Sequence, residues 1–239
     1  RLGGGDLNAL FGIAGFAGGI GFGTIFLKRG YSLQRTYALS KLESAMMPAI
    51  QVGLLVLVVT APAFIFFSQK GPGAMHAPWL ISLAAGLVVG GLSQFSRLCT
   101  VGGFRDLFLF KKSILIFGYL AVLIGVFVVN ISFGNFHLGF ENQPIAHTDG
   151  LWNFLGMALA GFCSVLLGGC PLRQLIMTGE GNSDSAVTVL GLAAGAAFAH
   201  NFGLAATGAG PTLNGEIAVG VGFVVALIIA ILNTKRANA

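Results

Sequence analysis

Two polar interruptions in an otherwise apolar sequence carry the residues able to do chemistry. The first, SQFSRLCTVGGFRD (93–106), holds Arg97, Cys99, Gly102, Gly103, Arg105 and Asp106. Glycines let successive backbone N–H groups turn toward one point, and an arginine offers a permanently charged fork of donors, so the set suits a small oxyanion. A thiol adds a weak S–H donor and a polarisable sulfur. The second, LLGGCPLRQLIMTGEGNSD (166–184), holds Cys170 between Gly168-Gly169 and Pro171, with Arg173 three residues further on. Proline suits the first turn of a helix, which predicts a short helix from Pro171 with Cys170 at its N-terminus. The unpaired N–H groups and positive dipole end there favour an anion and lower a thiol's pKa. A plainer reading fits the same residues. The first segment is then an ordinary cytoplasmic loop with topology-setting arginines, and the second a loop that starts a helix beside an incidental cysteine.

Cys163 lies seven residues before Cys170, about two helical turns, and its apolar neighbourhood predicts a buried, inert thiol. His200 and Asn201 interrupt the Ala/Gly-rich stretch 193–210, either as a hydrogen-bonded packing pair or as residues of a polar pathway. His76, His137 and His147 read as solvated residues of external loops. The pairs Gly15/Gly19, Gly19/Gly23, Gly86/Gly90 and Gly191/Gly195 have GxxxG spacing, which marks close helix packing. Three cysteines without a CxxC, and no His-rich spacing, point to neither a disulfide framework nor a zinc site, and no cofactor is expected. There is no GxxxxGK[ST] for an ATP motor and no HExxH or GxSxG for hydrolysis. Acidic residues within the apolar runs are nearly lacking, which argues against an extended carboxylate proton relay.

The elements that must position these groups follow from composition. Charged residues make up 9% of the 239, against about 25% in an ordinary soluble protein. Hydrophobic residues are 55% and the mean hydropathy is +0.86, leaving too little polar side chain to cover a water-facing surface. Glycine, with 37 residues, is about twice its usual share, as packed membrane helices tolerate. The expectation is an all-α polytopic membrane protein, a single transmembrane domain over 1–239 with the lipid bilayer as its surroundings. Apolar runs predict seven spans, at 7–27, 46–67, 79–95, 113–133, 151–168, 185–203 and 216–233. The third and fifth are short and end in glycine-rich polar sequence, as segments do that enter the bilayer and break.

The net charge of +5 does not indicate nucleic-acid binding, because the basic residues sit in connections between apolar runs. With seven alternating spans, one side receives Lys28, Arg29, Arg35, Lys41, Arg97, Arg105, Lys111, Lys112, Arg173, Lys235 and Arg236, and the other only Arg1 and Lys70. The positive-inside rule makes the first side, with the C-terminus, cytoplasmic. The segment 134–150, without Lys or Arg, reads as an external loop. Residues 1–15 resemble 180–194, and the two copies enter from opposite sides, the mark of an inverted-repeat transporter. A weaker unit of about 70 residues aligns Gly30, Cys99 and Cys170, each nine positions after a glycine.

At RLGGGDLNALFGIAG (1–15), FLKRGYSLQRT (26–36), SRLCTVGGFRD (96–106) and the long stretch 168–205, the sequence resembles the YeeE/YedE sulfur-transport family, most closely its selenium-metabolism branch. The resemblance implies an all-helical bacterial inner-membrane protein with pseudo-symmetric halves and re-entrant cysteine-bearing loops. It also implies a further N-terminal section ahead of Arg1. Cys99 matches the cysteine of the family's SRxC loop and Cys170 that of its later GGC loop, accompanied by Arg97, Arg105, Asp106 and Arg173. Where the thiosulfate-importing branch has a Thr-Ser-Gly-His type sequence, this chain has Pro171-Leu172-Arg173-Gln174, which sets it apart from thiosulfate itself.

The expected function is import of a small selenium- or sulfur-containing anion, the selenium compound favoured, along a cysteine-lined path. Its residues would be Cys99, Cys170, Arg97, Arg105, Arg173, Asn201 and His200, with no catalysis and no metal. A membrane thiol redox or sulfur-relay protein using Cys99 and Cys170 is the alternative. A third reading is a scaffold that docks a cytoplasmic sulfur or selenium carrier protein at the basic loops.

Overall fold

A computed structural model describes residues 1–33, 40–64, 74, 76–143 and 147–234. Apart from a 3₁₀ turn at Leu2–Gly4, the regular elements among them are helices: α1 Asn8–Lys28, α2 Lys41–Thr60, α3 Trp79–Ser96, α4 Thr100–Phe110, α5 Ile114–Ser132, α6 Gly150–Leu166, α7 Pro171–Gly179, α8 Ser183–Asn201 and α9 Leu213–Leu232. Each of the seven expected spans overlaps one of these helices, residues 65–67 of the second lying outside the described residues. Among the described residues, five stretches are long and apolar enough to cross a membrane: α1, the α3–α4 stretch, α5, the α6–α7 stretch and α9. The protein is therefore polytopic. The expected spans at α2 and α8 are also helices, α2 apolar over Ala45–Thr60 and α8 built mainly of Ala, Gly, Ser and Thr. The boundaries of α2 also differ from the expected 46–67. The apolar run continues past Thr60, but Pro62 has no N–H to donate and disfavours helix at the residue before it; Ala61 has a φ of +39°. Arg35, Lys70, Lys235 and Arg236 of the charge count lie outside the described residues.

The chain divides into two compact units: 1–35, 98–171 and 191–239 form unit 1, and 36–97 with 172–190 form unit 2. Unit 1 is organised by α1 against α6. A Cβ at Gly15 would lie 2.1 Å from the carbonyl oxygen of Phe154, and one at Gly19 would lie 1.9 Å from that of Ala158. From the other side, a Cβ at Gly161 would lie 2.4 Å from Phe16 O. The backbones touch because these positions carry no side chain, as expected of the GxxxG spacing on α1. At Gly86, Gly90, Gly191 and Gly195 a Cβ would meet nothing within 4 Å among the described residues, so that spacing packs no helix there. Beside the seam, Phe26, Tyr31, Phe162, Leu166, Ala226 and Ala230 form one buried cluster, with Cys163 packed against it.

The described part of the expected external loop, 134–143, packs against the residues that precede α1. His137 N–H donates to Gly4 O (2.9 Å), Gly139 N–H to Gly5 O (3.0 Å) and Leu7 N–H to Gly139 O (3.0 Å), so it lies along the entry to α1. Asn8 locks the junction, its amide donating to Asp6 Oδ1 (3.0 Å) and to Phe140 O (2.6 Å). Burial works to raise the Asp6 carboxyl. Hydrogen bonds from Arg1 and from the side chain and backbone of Asn8 outweigh it and hold the group below the usual carboxylate range. His147, expected in solvent, is half-buried, and its Nδ1 is enclosed without a partner among the described residues.

Candidate functional site

Cys99 and Cys170 are each delivered by a long helix that stops and a short one that starts. At α3 the stop is Arg97, whose left-handed backbone (φ +51°) ends the helix with its N–H on Gln94 O. Cys99 follows in an extended conformation as N-cap of α4, its Sγ accepting from Gly102 N–H at 3.2 Å and its carbonyl from Gly103 N–H at 2.9 Å. The segment 96–106, expected as a loop, is thus mostly helix. Glycine is a poor helix former, but here Val101, Gly102 and Gly103 are buried, and the two bare positions admit Leu115 and Ile116 of α5. Packing overrides propensity.

At α6 the stop is Gly168 (φ +81°): its N–H reaches Val165 O, and Gly169 N–H reaches Ser164 O. This paired bonding is a Schellman motif, which uses glycine for its left-handed position. Cys170 comes next and Pro171 opens α7, as the sequence predicts.

Both sulfurs are free thiols, with Cys99 9% and Cys170 3% exposed. They lie together in one buried cluster, where the Cys99 sulfur accepts from Gly102 N–H. Around them Ile20, Val101 and Val165 are buried, and Phe16, Leu27 and Phe104 close the cluster. Cys163 belongs to the other cluster, apart from this pair.

Arg105 folds back on its neighbour, with Nε and Nη2 both 2.9 Å from Asp106 Oδ1, so its charge is already matched. Asn201 donates to Ala197 O in its own helix (2.8 Å), and His200 is exposed in the last turn of α8; neither belongs to the cluster around the thiols. In unit 2, Arg97 is exposed at the end of α3. Also in unit 2, Arg173 donates from Nη1 to Gln94 Oε1 (3.1 Å) and faces Glu180 Oε2 across 3.7 Å, while Gln94 Nε2 donates to Glu180 Oε1. The sequence reading passed over Gln94 and Glu180. A signal existed, since Glu180 follows Arg173 by seven positions and so shares its face of a helix. Among the described residues no group of three or more His, Cys, Asp or Glu could hold a metal.

Comparison with known families decides the identity. The sulphur transport family matches residues 95–235, more than half of the chain and a range that includes both cysteines. The chain belongs to the sulphur transport family. Membership implies a membrane transporter of sulfur compounds rather than an enzyme, and the five apolar stretches make this family member a multi-pass membrane protein. Comparison with curated proteins and with solved structures returns no match.

Proposed function

We propose that this sulphur transport protein imports a small sulfur or selenium oxyanion past the paired thiols of Cys99 and Cys170. The observation that carries the reading is the burial of Cys99 and Cys170 in one cluster, with Gly102 N–H donating to the Cys99 sulfur. A site that seats one polarisable sulfur at a helix N-terminus has the chemistry to seat the sulfur or selenium of a substrate. Weak S–H donors suit passage, because a transport site must bind well enough to admit and weakly enough to release. The thiols act as contacts rather than nucleophiles, since a covalent adduct would halt transport. The selenium species is favoured because Pro171-Leu172-Arg173-Gln174 follows the second cysteine. The bias of basic residues supports an inner-membrane protein with a cytoplasmic C-terminus.

The test is uptake of thiosulfate and of selenite into proteoliposomes by the wild type, Cys99→Ser and Cys170→Ser. Serine keeps a side-chain acceptor for the α4 cap, so folding is retained while the sulfur is lost. Flux should fall at least tenfold in each variant; undiminished flux in both removes the cysteine path. The shared cluster of the two thiols also favours a second reading, a reversible disulfide in a thiol relay. A stoichiometric Cys99–Cys170 bridge in protein purified under oxidising conditions would support it.

A further inference from the structure

Arg173, in the first turn of α7, does not present a vacant guanidinium. Glu180 Oε2 lies 3.7 Å from Nη2, and Gln94 bridges the two groups, accepting from Arg173 with Oε1 and donating to Glu180 with Nε2. A carboxylate is an oxyanion, so the arginine is occupied by an internal mimic of the ligand it would serve. All three residues belong to unit 2.

Helix stability does not account for the arrangement. A helix favours anions at its N-terminus and cations at its C-terminus, yet α7 has Arg173 at its start and Glu180 just past its end. Both charges sit against the dipole. Glu180 is held in place independently of its charge by the C-terminal turn. Its N–H donates to Ile176 O (3.0 Å), Gly181 N–H to Thr178 O (3.0 Å) and Asn182 N–H to Met177 O (2.9 Å), with Gly181 at φ +88°. Asn182 then caps α8 by accepting from Ser185 N–H (2.9 Å). The sequence Thr-Gly-Glu-Gly-Asn-Ser (178–183) thus builds a hydrogen-bonded corner that places Glu180 about two turns from Arg173.

We infer that Glu180 is a built-in competitor for Arg173, a carboxylate that a substrate oxyanion displaces, with Gln94 as the bridge that returns it. The inference rests on reading Arg173 as an anion donor of the transporter. A resident counter-charge weakens binding and so favours release, and it rejects anions unable to outcompete a carboxylate. The side chains of Glu180 and Arg173 are 40% and 23% exposed, so the competition is modest and screened by salt.

The test is binding of thiosulfate and of selenite to the full chain in detergent, by calorimetry, at low and high ionic strength. Glu180→Gln should bind about threefold more tightly at low salt, from the usual strength of an exposed ion pair, and the gain should shrink at high salt. Gln94→Leu, which removes the bridge but leaves both charges, should shift affinity in the same direction by less. In an Arg173→Gln background, Glu180→Gln should give no gain. Unchanged or weaker binding in Glu180→Gln, or a gain that persists without Arg173, overturns the inference. If that happens while uptake still depends on Cys99 and Cys170, the transport reading stands and only the competitor role falls. If no variant binds either anion, the competitor role falls, and cysteine-independent flux would remove the transport reading with it.

Discussion

Adjacent glycines on α1 separate two opposing effects of one methyl group. Replacing glycine by alanine inside a helix stabilises it by about 0.5–1 kcal/mol, through lower backbone entropy in the unfolded chain. At Gly18 little opposes this gain: a Cβ would find Phe154 Cζ at 3.8 Å, an ordinary contact. At Gly19 the same Cβ would lie 1.9 Å from Ala158 O, 2.7 Å from its carbonyl carbon and 2.9 Å from its Cα. All three atoms are helix backbone and none can rotate away. Restoring ordinary contact requires α1 and α6 to part by roughly 1.5 Å, which removes much of the dispersion energy along the seam. Overpacking of this kind costs about 3 kcal/mol, so after the propensity gain Gly19→Ala should lose about 2 kcal/mol while Gly18→Ala gains up to ~1.

The consequence reaches the thiols, because Ile20 follows Gly19 and packs in the same cluster as Cys99 and Cys170. Thermal unfolding in detergent should move the two variants in opposite directions. A short thiol-to-thiol crosslinker should join Cys99 and Cys170 efficiently in Gly18→Ala and poorly in Gly19→Ala. If Gly19→Ala is as stable as Gly18→Ala, the α1–α6 backbone contact is not what holds unit 1 together.

Two other perturbations follow from local geometry. Because the Asp6 carboxyl is held below its ordinary value, its stabilising contribution is present above the unfolded-state pKa and is lost as pH falls through the folded one. Protection of the Leu7, His137 and Gly139 amides, measured as exchange relative to the intrinsic rate at each pH, should fall in acid, and Asp6→Asn should abolish that dependence while lowering protection roughly fivefold near neutrality, for about 1 kcal/mol. Gly168→Ala meets no neighbour within 4 Å, so its cost is backbone strain alone, about 1–2 kcal/mol at φ +81°. Gly156→Ala, equally uncrowded but at an ordinary helical position, should stabilise, which unfolding of the two variants side by side will decide.

The sequence made the long helices legible because apolar length is what a membrane demands; α1, α3, α5, α6 and α9 fall within three residues of their expected ends. It misplaced α2 because hydropathy is blind to both signals that bound that helix. Lys41, Leu42, Glu43 and Ser44 are mixed in polarity yet helical, while the run after Thr60 is apolar yet broken at Pro62. It missed α4 because Gly-Gly beside Arg and Asp reads as a loop, and only contact with Leu115 and Ile116 across the sequence makes those glycines assets. The pairing of Arg105 with Asp106 was in plain view as neighbours. That of Arg173 with Gln94 required a residue 79 positions away.

The cysteines themselves argue for chemistry over structure. The position that Cys99 occupies, the N-cap of α4, is one where Ser, Thr, Asp or Asn stabilises a helix by about 1 kcal/mol, and a thiol is a weaker acceptor than any of them. Cys170 occupies the corresponding place, between a glycine stop and the proline that opens α7. A chain selected for helix stability alone would carry an oxygen at both. The cost is accepted twice, and both sulfurs are then buried in one cluster with Ile20, Val101 and Val165. Packing would be served as well by alanine or valine, and capping better by serine. On the proposed reading the sulfurs serve recognition of the substrate, so replacing either by serine should leave the fold and reduce the flux.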